Sequence, residues 1–166
     1  MLKTIQRLAA IALLGLVPVF AAAQEGGAVE VTINDTAYVF PLWENQSDWS
    51  GTVDWGSVNI YTRPLDEDTW ALFKEFTLGF QFAGGNIDGG EASLNRMVDG
   101  TLVYYYANDT GMTIAVEGMS ADGDCLTLSG TAEMTMRTSE NWGNDIDMSD
   151  PPSLSAAFTL TLGPVE

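Results

Sequence analysis

The chain has 166 residues, with 23 acidic residues against six lysines and arginines, no histidine and a single cysteine. A formal net charge of −17 argues against a surface built for nucleic acid or anionic membrane, because both need cationic patches. Without histidine there is no Ser-His-Asp or Cys-His catalysis, no histidine-ligated metal and no ordinary pH switch; with Cys125 alone there is no internal disulfide, so the fold must rest on its hydrophobic core.

Residues 1–23 read as a secretory signal peptide. Lys3 and Arg7 form a basic start, Leu8 to Phe20 an apolar run interrupted by Gly15 and Pro18, and Ala21-Ala22-Ala23 a small-residue cleavage site before Gln24. The apolar run is short for a membrane span, and no cysteine stands near the cleavage site to carry a lipid. The expected product is residues 24–166, one domain in the periplasm or outside the cell. Its only cations are Arg63, Lys74, Arg96 and Arg137, and it keeps all the acids.

From there the chain alternates. Val29, Val31 and Ile33 interleave with Glu30 and Thr32, Asn34-Asp35 offers a turn, and Thr36 to Leu42 returns, which predicts an opening hairpin. Trp43 to Gly56 is polar and aperiodic and reads as a long loop holding one short strand at most. Ser57 to Thr62 resumes alternation. Pro64 to Glu75 reads as one short helix, with Pro64 in its first turn, Asp66, Glu67 and Asp68 at its N-terminus and Lys74 near its end. Phe76, Leu78, Phe80 and Phe82 then form the apolar face of a strand.

Gly84 to Gly90 reads as a flexible connection, Glu91 to Val98 as a weaker strand, and Asp99-Gly100 as a type I′ hairpin turn into Thr101 to Ala107. Met112, Ile114 and Val116 mark another strand. The most regular stretch runs from Leu126 to Arg137. Leu126, Leu128, Ala132, Met134 and Met136 share one parity, while Thr127, Ser129, Thr131, Glu133, Thr135 and Arg137 share the other. That is a period of two over twelve residues, a strand with one dry and one wet face. Thr138 to Pro152 is a second long polar loop, and Leu154 to Leu162 closes the chain as a strand. The expectation is an all-β fold, an antiparallel β-sandwich of roughly nine strands with at most one short helix.

Three constellations could carry chemistry. Asp145, Asp147 and Asp150 in the second loop offer hard oxygens for calcium. Asp145, Asp147 and Ser149 suit positions one, three and five of an EF-hand loop, but Asp150 stands where glycine is needed and Ala156 where glutamate is needed, so that motif fails. Asn86-Ile-Asp88-Gly-Gly is one copy of a pattern that calcium repeats use in tandem, and it also lacks the lysine of a phosphate loop.

Trp43, Trp49 and Trp55 in the first loop and Trp142 in the second offer flat apolar plates for stacking on sugars or anchoring a partner; the alternative is that they fold inward. Carbohydrate-binding modules are similar in combining a sandwich with such plates, a likeness of architecture rather than of motif. Tyr104, Tyr105 and Tyr106 cannot all face one way on a strand, so at least one ring faces outward. No carboxylate pair stands out as catalytic. The reading is a non-enzymatic exported module that binds a glycan or a protein partner. The alternatives are a carboxylate-dependent hydrolase of extracytoplasmic glycans and a structural or assembly protein.

Overall fold

A computed structural model describes residues 26–139, 147 and 152–165, and the expected signal peptide lies outside them. Eleven strands and one short helix follow in order: β1 (Gly27–Ile33), β2 (Thr36–Pro41), β3 (Asp48–Thr52), β4 (Trp55–Thr62), α1 (Glu67–Leu72), β5 (Phe73–Ala83), β6 (Asn86–Val98), β7 (Thr101–Asn108), β8 (Met112–Asp122), β9 (Cys125–Thr135), β10 (Arg137–Ser139) and β11 (Ser153–Pro164). Single 3₁₀ turns at Glu44–Gln46 and Asp109–Gly111 supplement the helix.

The strands form one connected sheet in two antiparallel runs. The first is ordered β2-β1-β11-β9-β8 and the second β10-β7-β6-β5-β4-β3. They join where Gly163 and Pro164 of β11 run parallel to Asp48 and Trp49 of β3. The expected antiparallel arrangement of roughly nine strands is therefore corrected twice: the described residues form eleven strands, and one junction is parallel. β3 is the one short strand that the first polar loop could hold, and β10 is split off at the end of the most regular stretch. Both are too short for alternation to reveal them, and neighbouring strands hold them in place.

The most regular stretch is split in two. Leu126, Leu128, Ala132, Met134 and Met136 are all buried, as their parity predicts. The strand breaks at Met136, whose N–H donates to the Pro152 carbonyl at 2.8 Å. β9 then belongs to the first run and β10, paired with β7, to the second. The hairpin signals hold: Asn34 and Asp35 have φ of 49° and 62°, and Asp99 and Gly100 have 49° and 83°, the positive values a type I′ turn requires.

The helix, Glu67–Leu72, is just under two turns and falls inside the expected stretch. Asp66 caps it, accepting from the Thr69 N–H at 2.8 Å, and Phe73 already begins β5. Burial explains the early end, since Phe73 and Phe76 are drawn into the core while Trp70 stays 46% exposed. The connection at Gly84–Gly90 is also shorter: Gly84 and Gly85 make the turn, and β6 starts at Asn86.

One hydrophobic cluster draws on both runs. Tyr38 of β2 meets Phe73 of β5 edge-on at 4.7 Å, and Phe80 of β5 lies 6.5 Å from Phe158 of β11. Gly130 is required by this packing, because a Cβ there would lie 2.3 Å from the Ala115 carbonyl oxygen and 2.9 Å from Phe158 Cζ.

Candidate functional site

The second run buries one parity of its strands and leaves the other facing outward, and its register aligns the outward residues in rows. Asp48, Asn59, Gly79, Glu91 and Asn108 form one row across β3, β4, β5, β6 and β7. Two residues along the strands, Tyr61, Thr77, Ser93, Tyr106 and Arg137 form the next. On the other side come Ser50, Ser57 and Gln81, then Trp55 opposite Ala83. A groove of about 530 Å³ lies over the middle of this face, lined in part by Ser57, Asn59, Gly79, Gln81, Glu91 and Asp109.

The polar groups of the groove and of the face around it are held before any ligand arrives. Asn59 Nδ2 donates to Asp48 Oδ1 at 2.8 Å, which turns the Asn59 carbonyl oxygen toward the strip above Gly79. Asp109 Oδ1 accepts from the Gly90 N–H at 2.5 Å. Arg137 Nη2 donates to Thr110 Oγ1 at 3.2 Å, and that hydroxyl donates to Asn108 Oδ1 at 3.1 Å. Ser50 and Ser57 share a hydrogen bond of 2.9 Å, and Thr77 and Ser93 one of 2.7 Å. Such pre-ordering lowers the entropy lost on binding.

The floor is Gly79, in the middle of β5. Its φ lies outside the left-handed region, and a Cβ there would meet nothing closer than 3.6 Å. Neither conformation nor packing calls for glycine, which costs a strand interior about 0.5–1 kcal/mol relative to alanine. A glycine kept where a side chain would fit leaves bare backbone for something to approach.

The four sequence-predicted tryptophans have different fates. Trp55 is 64% exposed at the start of β4, on the face that carries the groove. Trp49 takes the inward alternative: it is 7% exposed, and its indole N–H donates to the Asp124 carbonyl at 2.9 Å. Its position on β3 points the ring to the core while the indole proton reaches the turn between β8 and β9, so it offers no plate. Trp43 is half-buried, with the Arg63 guanidinium 4.5 Å from its ring centroid. Trp142 lies outside the described residues.

The acidic loop divides similarly. Asp145 and Asp150 lie outside the described residues. Asp147 is exposed and pairs with Thr138 in an isolated antiparallel bridge. Among the described residues no group of three or more carboxylates or thiols is placed to hold a metal ion. Of the tyrosine triplet, Tyr105 packs against the core, while Tyr104 and Tyr106 take the opposite parity. Tyr61, not singled out in the sequence, is exposed in the row that also holds Tyr106. The polar row around Gly79 was also missed. Its only signal is a glycine between Thr77 and Gln81 in an otherwise well-formed strand.

Each of the four cations after residue 23 sits on an aromatic ring: Arg63 on Trp43, Lys74 on Trp70, Arg96 on Phe73 and Arg137 on Tyr106, at 4.5 to 6.0 Å. None of them lines the groove. The lining is rich in hydrogen-bond acceptors, supplied by carboxylates and side-chain amides, and suits a ligand that brings hydroxyl or amide donors. Comparison with known protein families, curated proteins and solved structures gave no match.

Proposed function

We propose that this chain is an exported, non-enzymatic glycan-binding module of β-sandwich form, whose ligand lies on the outward face of β3 to β7. A single hydrophobic cluster that draws on both runs supports the two-layered form. The signal-like first 23 residues support export. The acidic composition speaks against nucleic acid and anionic lipid as partners, and among the described residues no helix is long and apolar enough to cross a membrane.

The observation that carries the reading is the exposed Trp55 on the same face as a pre-ordered polar groove. An indole stacks on the apolar face of a sugar ring, and fixed amides and carboxylates take the ring hydroxyls; ligand sites pair a few placed polar groups with an aromatic wall in this way. Tyr61, about 20 Å along β4 from Trp55 at a strand rise of 3.3–3.4 Å per residue, supplies a second ring, so the face suits a chain of sugars more than a single one.

The test is titration of residues 24–166 with soluble oligosaccharides, read by calorimetry and tryptophan fluorescence. Binding is expected with a blue shift of the emission. Trp55→Ala should weaken it by about tenfold or more, about 1.4 kcal/mol, with an unchanged melting temperature. Binding that survives Trp55→Ala undiminished would refute this face. Glu91 and Asp109 both line the groove, which favours the hydrolase reading as the second one; release of shorter sugars from the bound chain, lost in Glu91→Gln, would replace the first reading by that one.

A further inference from the structure

We infer that the free edge of β8 is a docking site for an extended segment of a partner protein, apolar at alternate positions and basic at both ends, which adds to the first run as a further strand. This goes beyond the glycan reading and does not depend on it. The other ends of the two runs are closed or short. The end of β2 is tied to β4 by the Leu42–Thr62 bridge and by the Arg63 N–H, which donates to the Pro41 carbonyl at 3.2 Å. β10 spans only Arg137–Ser139 and takes Asp147 on Thr138. β8 is 11 residues long, and among the described residues it pairs along one side only, with β9.

Every second residue of an edge strand turns its N–H and carbonyl away from its neighbour. Such an edge is a template for another strand unless lysine, proline or shortness blunts it. β8 holds neither lysine nor proline. It bulges between Val116 and Gly118, so the regular ladder it offers runs from Met112 to Val116. Beside that ladder the core stays open. Met112, Ile114, Val116 and Met119 are only partly buried against it, and two grooves follow the strand. One, of about 270 Å³, lies among Ile87, Gly90, Met112 and Ile114; the other, of about 220 Å³, lies among Val53, Phe82, Ile87, Val116 and Met119. Thr113 lines the first and Glu117 the second, roughly 13 Å apart along β8. A strand laid on the edge turns side chains inward about every 7 Å, so its apolar residues fill both grooves. Main-chain hydrogen bonds then give affinity, and pockets for alternate side chains give specificity.

Charge selects the occupant. Asp109 stands at the Met112 end of the ladder and Glu117 just past Val116, and among the described residues neither groove is lined by a lysine or arginine. Arg137, which reaches Thr110 just before β8, is engaged by that hydroxyl and by the Tyr106 ring. A segment with a basic residue at each end meets both carboxylates. A second copy of the chain does not: it brings its own Glu117 and a strongly acidic composition, and like charges repel across a paired edge. The chain's own Asp147 is held on Thr138 of β10, in the other run.

The experiment titrates residues 24–166 at low salt with end-blocked synthetic peptides. The parent is Lys-Val-Thr-Val-Thr-Val-Lys. Its controls are the same peptide with glutamate ends, the rearranged Lys-Thr-Val-Val-Val-Thr-Lys, and two forms of the parent N-methylated either at the valines or at the threonines. The parent is expected to bind, and the glutamate-ended and rearranged peptides to bind about tenfold more weakly or not at all. N-methylation removes the donors of one peptide edge, so one methylated form should lose about tenfold or more in affinity while the other keeps it. Amide hydrogen exchange should slow from Met112 to Val116 when the parent binds, and not in β2 or β10. Glu117→Lys should melt as wild type does and reduce the preference for lysine ends by about threefold or more.

The inference is overturned if no peptide binds at millimolar concentration, if both methylated forms bind as the parent does, or if the slowed exchange lies outside β8. It is overturned as well if the glutamate-ended peptide binds as tightly as the parent, or if Glu117→Lys leaves the preference unchanged. A dimer in sedimentation whose β8 exchanges slowly without peptide would also overturn it, because the occupant would then be a second copy. None of these outcomes touches the glycan reading, which stands or falls on Trp55→Ala.

Discussion

Trp49 and Trp55 lie six residues apart in one polar stretch, and the structure gives them opposite roles. Trp49 is buried with its indole proton on the Asp124 carbonyl. Trp49→Phe removes that donor and with it the hydrogen bond to the turn between β8 and β9. It should lower the unfolding free energy by about 1 kcal/mol, read as a shift of the urea midpoint at constant slope. Glu75 is a second residue whose surroundings matter. It lies on the outward face of β5, partly covered, and burial pushes its carboxyl above the ordinary range. The folded state therefore binds the Glu75 proton more tightly than the unfolded state does. Its contribution to stability is full below the ordinary carboxyl range and is lost as pH rises through the raised folded value. Glu75→Gln should accordingly raise the melting temperature at neutral pH, and the gain should vanish in acid below the ordinary value of 4.5, where both side chains are uncharged. A gain independent of pH would show that the charge is not the cause.

At the scale of elements, the short helix α1 is set by one cap and one packing limit. The Asp66 carboxylate accepts from the Thr69 N–H, and that hydrogen bond holds its carboxyl below the ordinary range. The cap is thus fully made above the unfolded value of 3.8 and fails as pH falls through the lower folded one. Asp66→Ala should speed hydrogen exchange at Thr69 at neutral pH, and the difference from wild type should close in strong acid; a constant difference would refute the cap. Downstream, the aromatic side chains of Phe73 and Phe76 decide that the backbone becomes β5. Trp70, Phe73 and Phe76 are spaced three apart, which suits a helical face, yet cross-strand partners outcompete that local preference. Strand character depends on neighbours that the local sequence does not contain. The same holds for β3, which becomes a strand because β4 and the end of β11 offer it hydrogen bonds on both sides.

Across the whole molecule, charge opposes what the core holds together. The four cations after residue 23 each lie over a ring, and the sequence sets 23 acidic residues against them. Such a surface repels itself, and the repulsion is weaker in the expanded chain. Raising sodium chloride from about 0.01 M to about 0.15 M shortens the screening length from about 30 Å to about 8 Å, so the melting temperature should rise over that range. Magnesium should raise it further, and calcium by the same amount as magnesium at equal concentration. A rise specific to calcium would instead assign a metal site, with Asp145, Asp147 and Asp150 the first residues to replace. A melting temperature that falls with salt would mean that favourable ion pairs outweigh the repulsion.

By itself the sequence determined the strand-rich class, the parity of the buried residues and the tight turns. Leu126 to Met136 and the turns at Asn34-Asp35 and Asp99-Gly100 were legible because alternation and positive φ are properties of consecutive residues. Only the tertiary structure decided the pairing of strands: the parallel contact of β11 with β3, the break at Met136 that sends β10 to the other run, and the row that brings Asp48, Asn59, Gly79, Glu91 and Asn108 together from five strands. It also separated Trp55 from Trp49. Pairing and register join residues far apart in the chain, and Gly79 between Thr77 and Gln81 is the one local sign of the groove. Local order is written in neighbours along the chain, whereas the site is written in neighbours across the sheet.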